Sequence, residues 1–111
     1  MSGTLAWITL VVAGLLEVVW ATTLKQTEGF TKLVPSLITV AAMAGSVGLL
    51  ALAMRVLPMG TSYMVWTGIG GLGAFVAGIA LFGEAVTPLR LAAAALILGG
   101  LVLMKLATPP G

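Results

Sequence analysis

The chain of 111 residues has no cysteine, no histidine and no aspartate. Without cysteine there is no disulfide framework and no thiolate chemistry. Without histidine, proton exchange near neutral pH falls to a carboxylate or a lysine in an unusual setting. Charged residues make up only 7% of the chain, too few to coat a water-soluble domain. Five bases and three acids leave a formal net charge of +2, without the basic stripe that nucleic acid requires. No nucleophile stands beside a base, so catalysis has no visible machinery. The chain is read as a non-enzyme with no cofactor and no metal site.

What the chain does have is apolar surface. Hydrophobic residues account for 60% of it, and the mean hydropathy is +1.22. Four apolar blocks stand out, at 4–24, 33–54, 60–82 and 86–107. Each is about 21–23 residues, or about 31–35 Å as a helix, which is enough to cross the hydrocarbon core of a bilayer. Lipid offers the backbone no hydrogen-bonding partner, so the blocks must be helices. The expected fold is all-α integral membrane, with four transmembrane helices in a single domain over 1–111. The breaks, KQTEGFTK, RVLP and GEAVTP, hold most of the charge and the turn-forming glycine and proline. The N-terminus lacks a basic leader and a small-residue cleavage site, so it is read as retained.

Charge counting gives almost no orientation. Arg55 and Lys105 fall on one side of the membrane, and Lys25, Lys32 and Arg90 on the other. Two readings stay open: a weak signal overridden by the insertion machinery, or a protein that inserts both ways up.

The stretch GLLEVVWATTLK contains the oddest residue. Glu17 lies about 20 Å from one end of its span and about 10 Å from the other, too deep for a short side chain to reach water comfortably. Its neighbours three and four residues away are Ala13, Gly14, Trp20 and Ala21, none of them basic. A bare carboxylate there costs at least a few kcal/mol, so it must take a proton, find a cation or face water. The bland alternative is an internal ion pair with Arg90, which starts the fourth block on the same side as the nearer end of the first.

Other residues add to this. Tyr63, Trp66, Thr67 and Gly70 fall on one face of the third helix. Their hydroxyls, indole N–H and π faces suit a cation pocket around a carboxylate, although an interfacial aromatic belt accounts for Tyr63 equally well. Ser46, midway along the second block, can bond a carboxylate or its own helix carbonyl. TGIGGLGAF places Gly68, Gly70, Gly71 and Gly73 within one span, the mark of a bend or a close helix approach. Ala95 and Gly99 have small-xxx-small spacing, with Gly100 beside them, and predict a packing or dimerisation face. Four helices make too thin a bundle to surround a solute path, so a transport reading needs an oligomer. Two copies would bring two Glu17 carboxylates to one site.

GLLEVVWATTLK, GFTKLVPS, PMGTSYMVWTGIG and GEAVTPLR, in this order within four spans, resemble the small multidrug resistance transporters over about residues 5–107. Trp20, three residues after the membrane glutamate, and WTGIG resemble the guanidinium exporter branch of that family. The multidrug branch usually has a small residue at the position of Trp20. The resemblance implies a proton-coupled antiporter for guanidinium and small substituted guanidines in the bacterial cytoplasmic membrane, working as an antiparallel homodimer with dual insertion. It implies that Glu17 binds proton or cation in competition, and that Trp20, Ser46, Tyr63 and Trp66, with Gly14 beside the glutamate, form the pocket and its support. Trp20 and Ser46 are expected to orient the carboxylate by hydrogen bonds. The resemblance also implies a bend at Gly68 and Gly70 and a dimer contact around Gly99.

Two positions depart from the pattern. Val47 and Gly48 stand where a bulky aromatic is expected after the serine, and Met64 stands where a small residue is common. The smaller side chain leaves room for substituted guanidines. Two rival readings remain: a multidrug exporter of quaternary ammonium and other lipophilic cations, and a non-transporting membrane partner subunit in which Glu17 pairs with Arg90.

Overall fold

In a computed structural model of the chain, residues 1–108 are described. Four helices follow one another: α1 (Gly3–Gln26), α2 (Leu33–Ala53), α3 (Met59–Phe82) and α4 (Pro88–Ala107). All four are long and apolar enough to cross a membrane.

Local chemistry sets the helix ends. The Ser2 hydroxyl accepts the Leu5 N–H at 3.1 Å and starts α1 one residue before the expected Thr4. At the other end α1 runs on to Gln26, past the expected Leu24. There the buried Thr27 hydroxyl donates to the Leu24 carbonyl at 2.7 Å and accepts the Phe30 N–H at 3.0 Å. Glu28, Gly29 and Phe30 then take left-handed conformations in succession (φ 48°, 73° and 64°), and the chain reverses. Pro35 falls in the first turn of α2, where its missing N–H does no harm. Met54, expected as the last residue of the second span, lies in the turn after Ala53. Pro58 precedes α3, and Gly83, left-handed at φ 65°, ends it. The fourth span begins at Pro88 rather than at residue 86. The Thr87 hydroxyl accepts the Arg90 N–H at 3.1 Å, and Pro88 fills the first helical position.

Across the molecule the helices lie in the order α2, α1, α3, α4, and α2 meets α3 along only a short stretch. The backbone of α4 approaches only α3. The Cα trace measures 42 × 35 × 16 Å. Helices pack about 8–10 Å apart, so the short dimension is barely two helices thick. The chain folds as a slab rather than a closed bundle. Its core lies where the first half of α1 meets the end of α2 and the start of α3, around Ala6, Leu10, Ala13, Leu50, Ala53 and Val65. In lipid this core gains nothing from leaving water. Small residues and van der Waals contact hold it instead.

Candidate functional site

Glu17 lies on the face of α1 that meets α3. A Cβ added at Gly70 would strike its carboxylate, so the acid rests directly on the glycine backbone of the neighbouring helix. One turn further along, Val18 fills the same kind of slot at Gly73. Ile69 fills the reverse slot, at Gly14 of α1, where an added Cβ would stand 2.7 Å from it. Glycines on both helices thus let α1 and α3 close around the level of Glu17. Through Gly68 and Gly70, α3 continues as one helix. Leu101 of α4 sits over Gly68, 2.5 Å from where a Cβ would be.

The polar groups around this seam form two sets. In one, the Trp66 indole N–H donates to the Ser46 hydroxyl at 2.9 Å, and that hydroxyl donates to the Ala13 carbonyl at 2.7 Å. Ser46 is fully buried. The relay joins α3, α2 and α1 at one level. In an α-helix the carbonyl of residue 13 also receives the N–H of residue 17, so the relay ends on the backbone turn that carries Glu17. Tyr63 adjoins it, its ring centroid 5.6 Å from that of Trp66 at 38° between planes. Tyr63 itself is exposed.

The second set has no partners. Among the described residues, Oε2 of Glu17 and the indole nitrogen of Trp20 are buried without a hydrogen bond. Two expectations from the sequence are corrected here. Ser46 bonds neither the carboxylate nor its own helix, because α2 presents it to the backbone of α1. Trp20, although one turn from Glu17, does not hydrogen-bond it.

Arg90 does not reach Glu17 either. Its guanidinium lies 3.8 Å from Glu84 Oε1 and stands 5.5 Å over the Phe75 ring. Glu84 went unremarked in the sequence, because an acid in a short polar loop looks like solvated charge. Its spacing from Arg90 across the GEAVTPLR corner was the available signal. The small-residue face of α4 is open: Ala95, Gly99 and Gly100 are exposed, and a Cβ at Gly99 or Gly100 would meet nothing within 4 Å. Val47 is 48% exposed, and a Cβ at Gly48 would likewise meet nothing.

These features define a multi-pass membrane protein with one carboxylate deep among its spans, seated on glycine and unpartnered among the described residues. Residues 5–97 match the model of the family described as Small Multidrug Resistance protein. Over 104 residues the chain is 59% identical to a protein of Escherichia coli (strain K12) called "Guanidinium exporter", covering 94% of this chain and 99% of that one. Proteins of the same name from Citrobacter freundii and Salmonella typhimurium are 56% identical over the same length and coverage. The chain belongs to the small multidrug resistance family.

Proposed function

We propose that the protein exports guanidinium, and small substituted guanidines, across the bacterial cytoplasmic membrane in exchange for protons. The observation that carries this reading is the Glu17 carboxylate, within a membrane span, with Oε2 buried and without a hydrogen-bond partner among the described residues. Such a group needs a cation or a proton. Guanidinium presents paired N–H donors that match carboxylate oxygens two by two. The names carried by the relatives agree with that substrate.

The working unit in this reading is an antiparallel homodimer inserted in both orientations. Near-zero charge bias fits dual insertion, and the open face of α4 at Ala95, Gly99 and Gly100 is its contact. Two Glu17 carboxylates then face one cation. The Trp66–Ser46 relay holds the Glu17 turn, while Trp20, with its free N–H, and Tyr63 line the pocket. Gly14 and Gly70 set how closely α1 and α3 approach around it, and with Gly68 they leave α3 able to flex. Protonating Glu17 removes the charge that holds the cation. Proton and cation therefore exclude one another, and inward proton flow drives cation outward. Lowering pH weakens cation binding in this scheme, because the proton and the cation compete for the same oxygens.

A second reading, export of bulkier quaternary ammonium cations, draws on the open space at Val47 and Gly48. The partner-subunit reading expects a Glu17–Arg90 pair, whereas the Arg90 guanidinium lies 3.8 Å from Glu84.

The test is proton flux in liposomes driven by guanidinium, guanylurea, a phenylguanidine and tetraethylammonium. Guanidinium-coupled flux that vanishes in Glu17→Gln is the expected result. Flux with tetraethylammonium alone selects the second reading. Coupled flux that survives in Glu17→Gln overturns both.

A further inference from the structure

Where α1 and α3 end and α4 begins, a group of charges has no part in the proposed exchange at Glu17. Glu84 follows the left-handed Gly83, and its carboxylate folds back over α3 so that a Cβ at Gly78 would strike it. The Arg90 guanidinium lies 3.8 Å from that carboxylate and 5.5 Å over the Phe75 ring. The Lys25 ammonium stands 5.3 Å over the Phe82 ring. Beside them, between α1 and α3, is a cavity of about 280 Å³. Ala21, Ala74, Ala77 and Gly78 bound it, and Lys25 and Glu84 stand at its loop end. Ala21 is one helical turn from Glu17, so the inner wall of the cavity stops about 6 Å short of the deep carboxylate.

We propose that Glu84 is a second, weak cation site, selective for guanidinium groups, at the mouth of the crevice between α1 and α3. Arg90 is its resident occupant: the chain's own guanidinium fills the site until a free one displaces it. The choice of guanidinium as the free ligand rests on the export reading above. The site itself rests on the side chains.

Three observations support it. The first is chemical fit. A guanidinium on a carboxylate, within about 6 Å of an aromatic ring face, is a favourable arrangement, and Arg90 already adopts it. The second is exchangeability. The 3.8 Å separation is well beyond the roughly 2.7–2.9 Å of a charge-assisted hydrogen bond. The side chains of Arg90 and Glu84 are 43% and 41% exposed, and an exposed pair of this kind holds its partners weakly. A small free guanidinium can approach both oxygens at bonding distance, which the tethered Arg90 does not do here. The third is the position of Lys25. Its charge at the same mouth lowers the affinity for any cation, as a site on a transport path requires if it is to release what it binds.

The experiment is a titration of the carboxyl carbons of glutamate, isotopically labelled, in protein held in lipid nanodiscs. The chain has three glutamates, Glu17, Glu28 and Glu84, and Glu84→Asp assigns the Glu84 signal by its loss. Glu28, paired with Lys32 at 3.5 Å, is the internal control. Guanidinium chloride is expected to shift the Glu84 signal to saturation, while sodium chloride and tetramethylammonium chloride at equal concentration do not. Arg90→Gln is expected to lower the half-saturating concentration several-fold. A Glu84 signal that moves in step with Glu28, or equally with sodium, overturns the site. An unchanged midpoint in Arg90→Gln overturns Arg90 as its occupant. Liposome flux separates this from the export reading. Saturation at Glu84 without guanidinium flux in the wild type sinks the export reading alone. Flux without saturation at Glu84 sinks the second site alone.

Discussion

Helices α1 and α4 are similar in length and about equally apolar, yet five residues of α1 are buried and none of α4. Both carry small residues. On α1 they are filled: Ala6 and Ala13 lie in the core, and Ile69 occupies the slot at Gly14. On α4 the stripe at Ala95, Gly99 and Gly100 is exposed, and a Cβ at Gly99 or Gly100 would meet nothing within 4 Å. Apolarity therefore says that a helix crosses a membrane, and nothing about what it packs on. In lipid, contact is set by where a glycine on one helix meets a side chain on another.

The largest effect is expected at the filled slots. Gly70→Ala drives a methyl group into the Glu17 side chain and should destabilise the protein by about 1–3 kcal/mol, the usual cost of overpacking. Gly71→Ala, next along the same helix, meets nothing within 4 Å. It should be neutral or gain up to about 1 kcal/mol from helix propensity. Denaturant titration in mild detergent compares the two. Equal effects would break the distinction between filled and open glycines. Gly70→Ala is also expected to reduce guanidinium-coupled flux, since the displaced group is the carboxylate itself.

A stability effect of the same order, but with no displaced carboxylate, is expected at Ser46. Ser46→Ala strands the Trp66 N–H and removes a bond to the Ala13 carbonyl, at about 1–3 kcal/mol for a buried group left unpaired. Ser46→Thr keeps the hydroxyl and should recover part of that. Denaturant titration in mild detergent reads both, and identical behaviour of the two variants would deny the relay its role.

The smallest effect on the protomer is expected on α4. Gly99→Ala should leave the stability of the single chain within about 0.5 kcal/mol, as for surface positions generally. Where the α4 face is the proposed dimer contact, any change should appear instead in the fraction of cross-linked dimer. A variant that unfolds the protomer while leaving association untouched would reverse the contrast between α1 and α4.

Much of this could be read from the residues alone. The four apolar runs mark the spans, and proline, glycine and threonine mark their ends to within two residues. The largest differences, two residues each, fall at the end of α1 and at the cap before Pro88. Glu17 was conspicuous because acids are rare in apolar runs. What could not be read was which helix faces which. Helical spacing places Tyr63, Trp66 and Gly70 on one side of α3, but it does not rotate α3 against its neighbours. Hence Gly70 as the seat of Glu17, and the Ala13 carbonyl as the acceptor for Ser46, emerged only from packing. Glu84 was hidden for a different reason: its contacts with Gly78 and Arg90 depend on how one short corner folds back.

The Ser46 hydroxyl bonds both of its neighbours at a single point, roughly midway along α1, where three helices cross. Mechanically this is a fulcrum. Beyond it α1 is held more loosely, by the Thr39–Thr23 hydroxyl pair toward α2 and by Val18 at Gly73 toward α3, so a tilt about the pin has to slip those contacts. From Ala13 to Gln26 the helix extends about 20 Å, so tilting by about 10° around that pin would carry the far end through about 3 Å. Glu17 is one turn from the pin and would travel less than a third as far. Rocking of α1 about this pin would thus leave the carboxylate nearly in place.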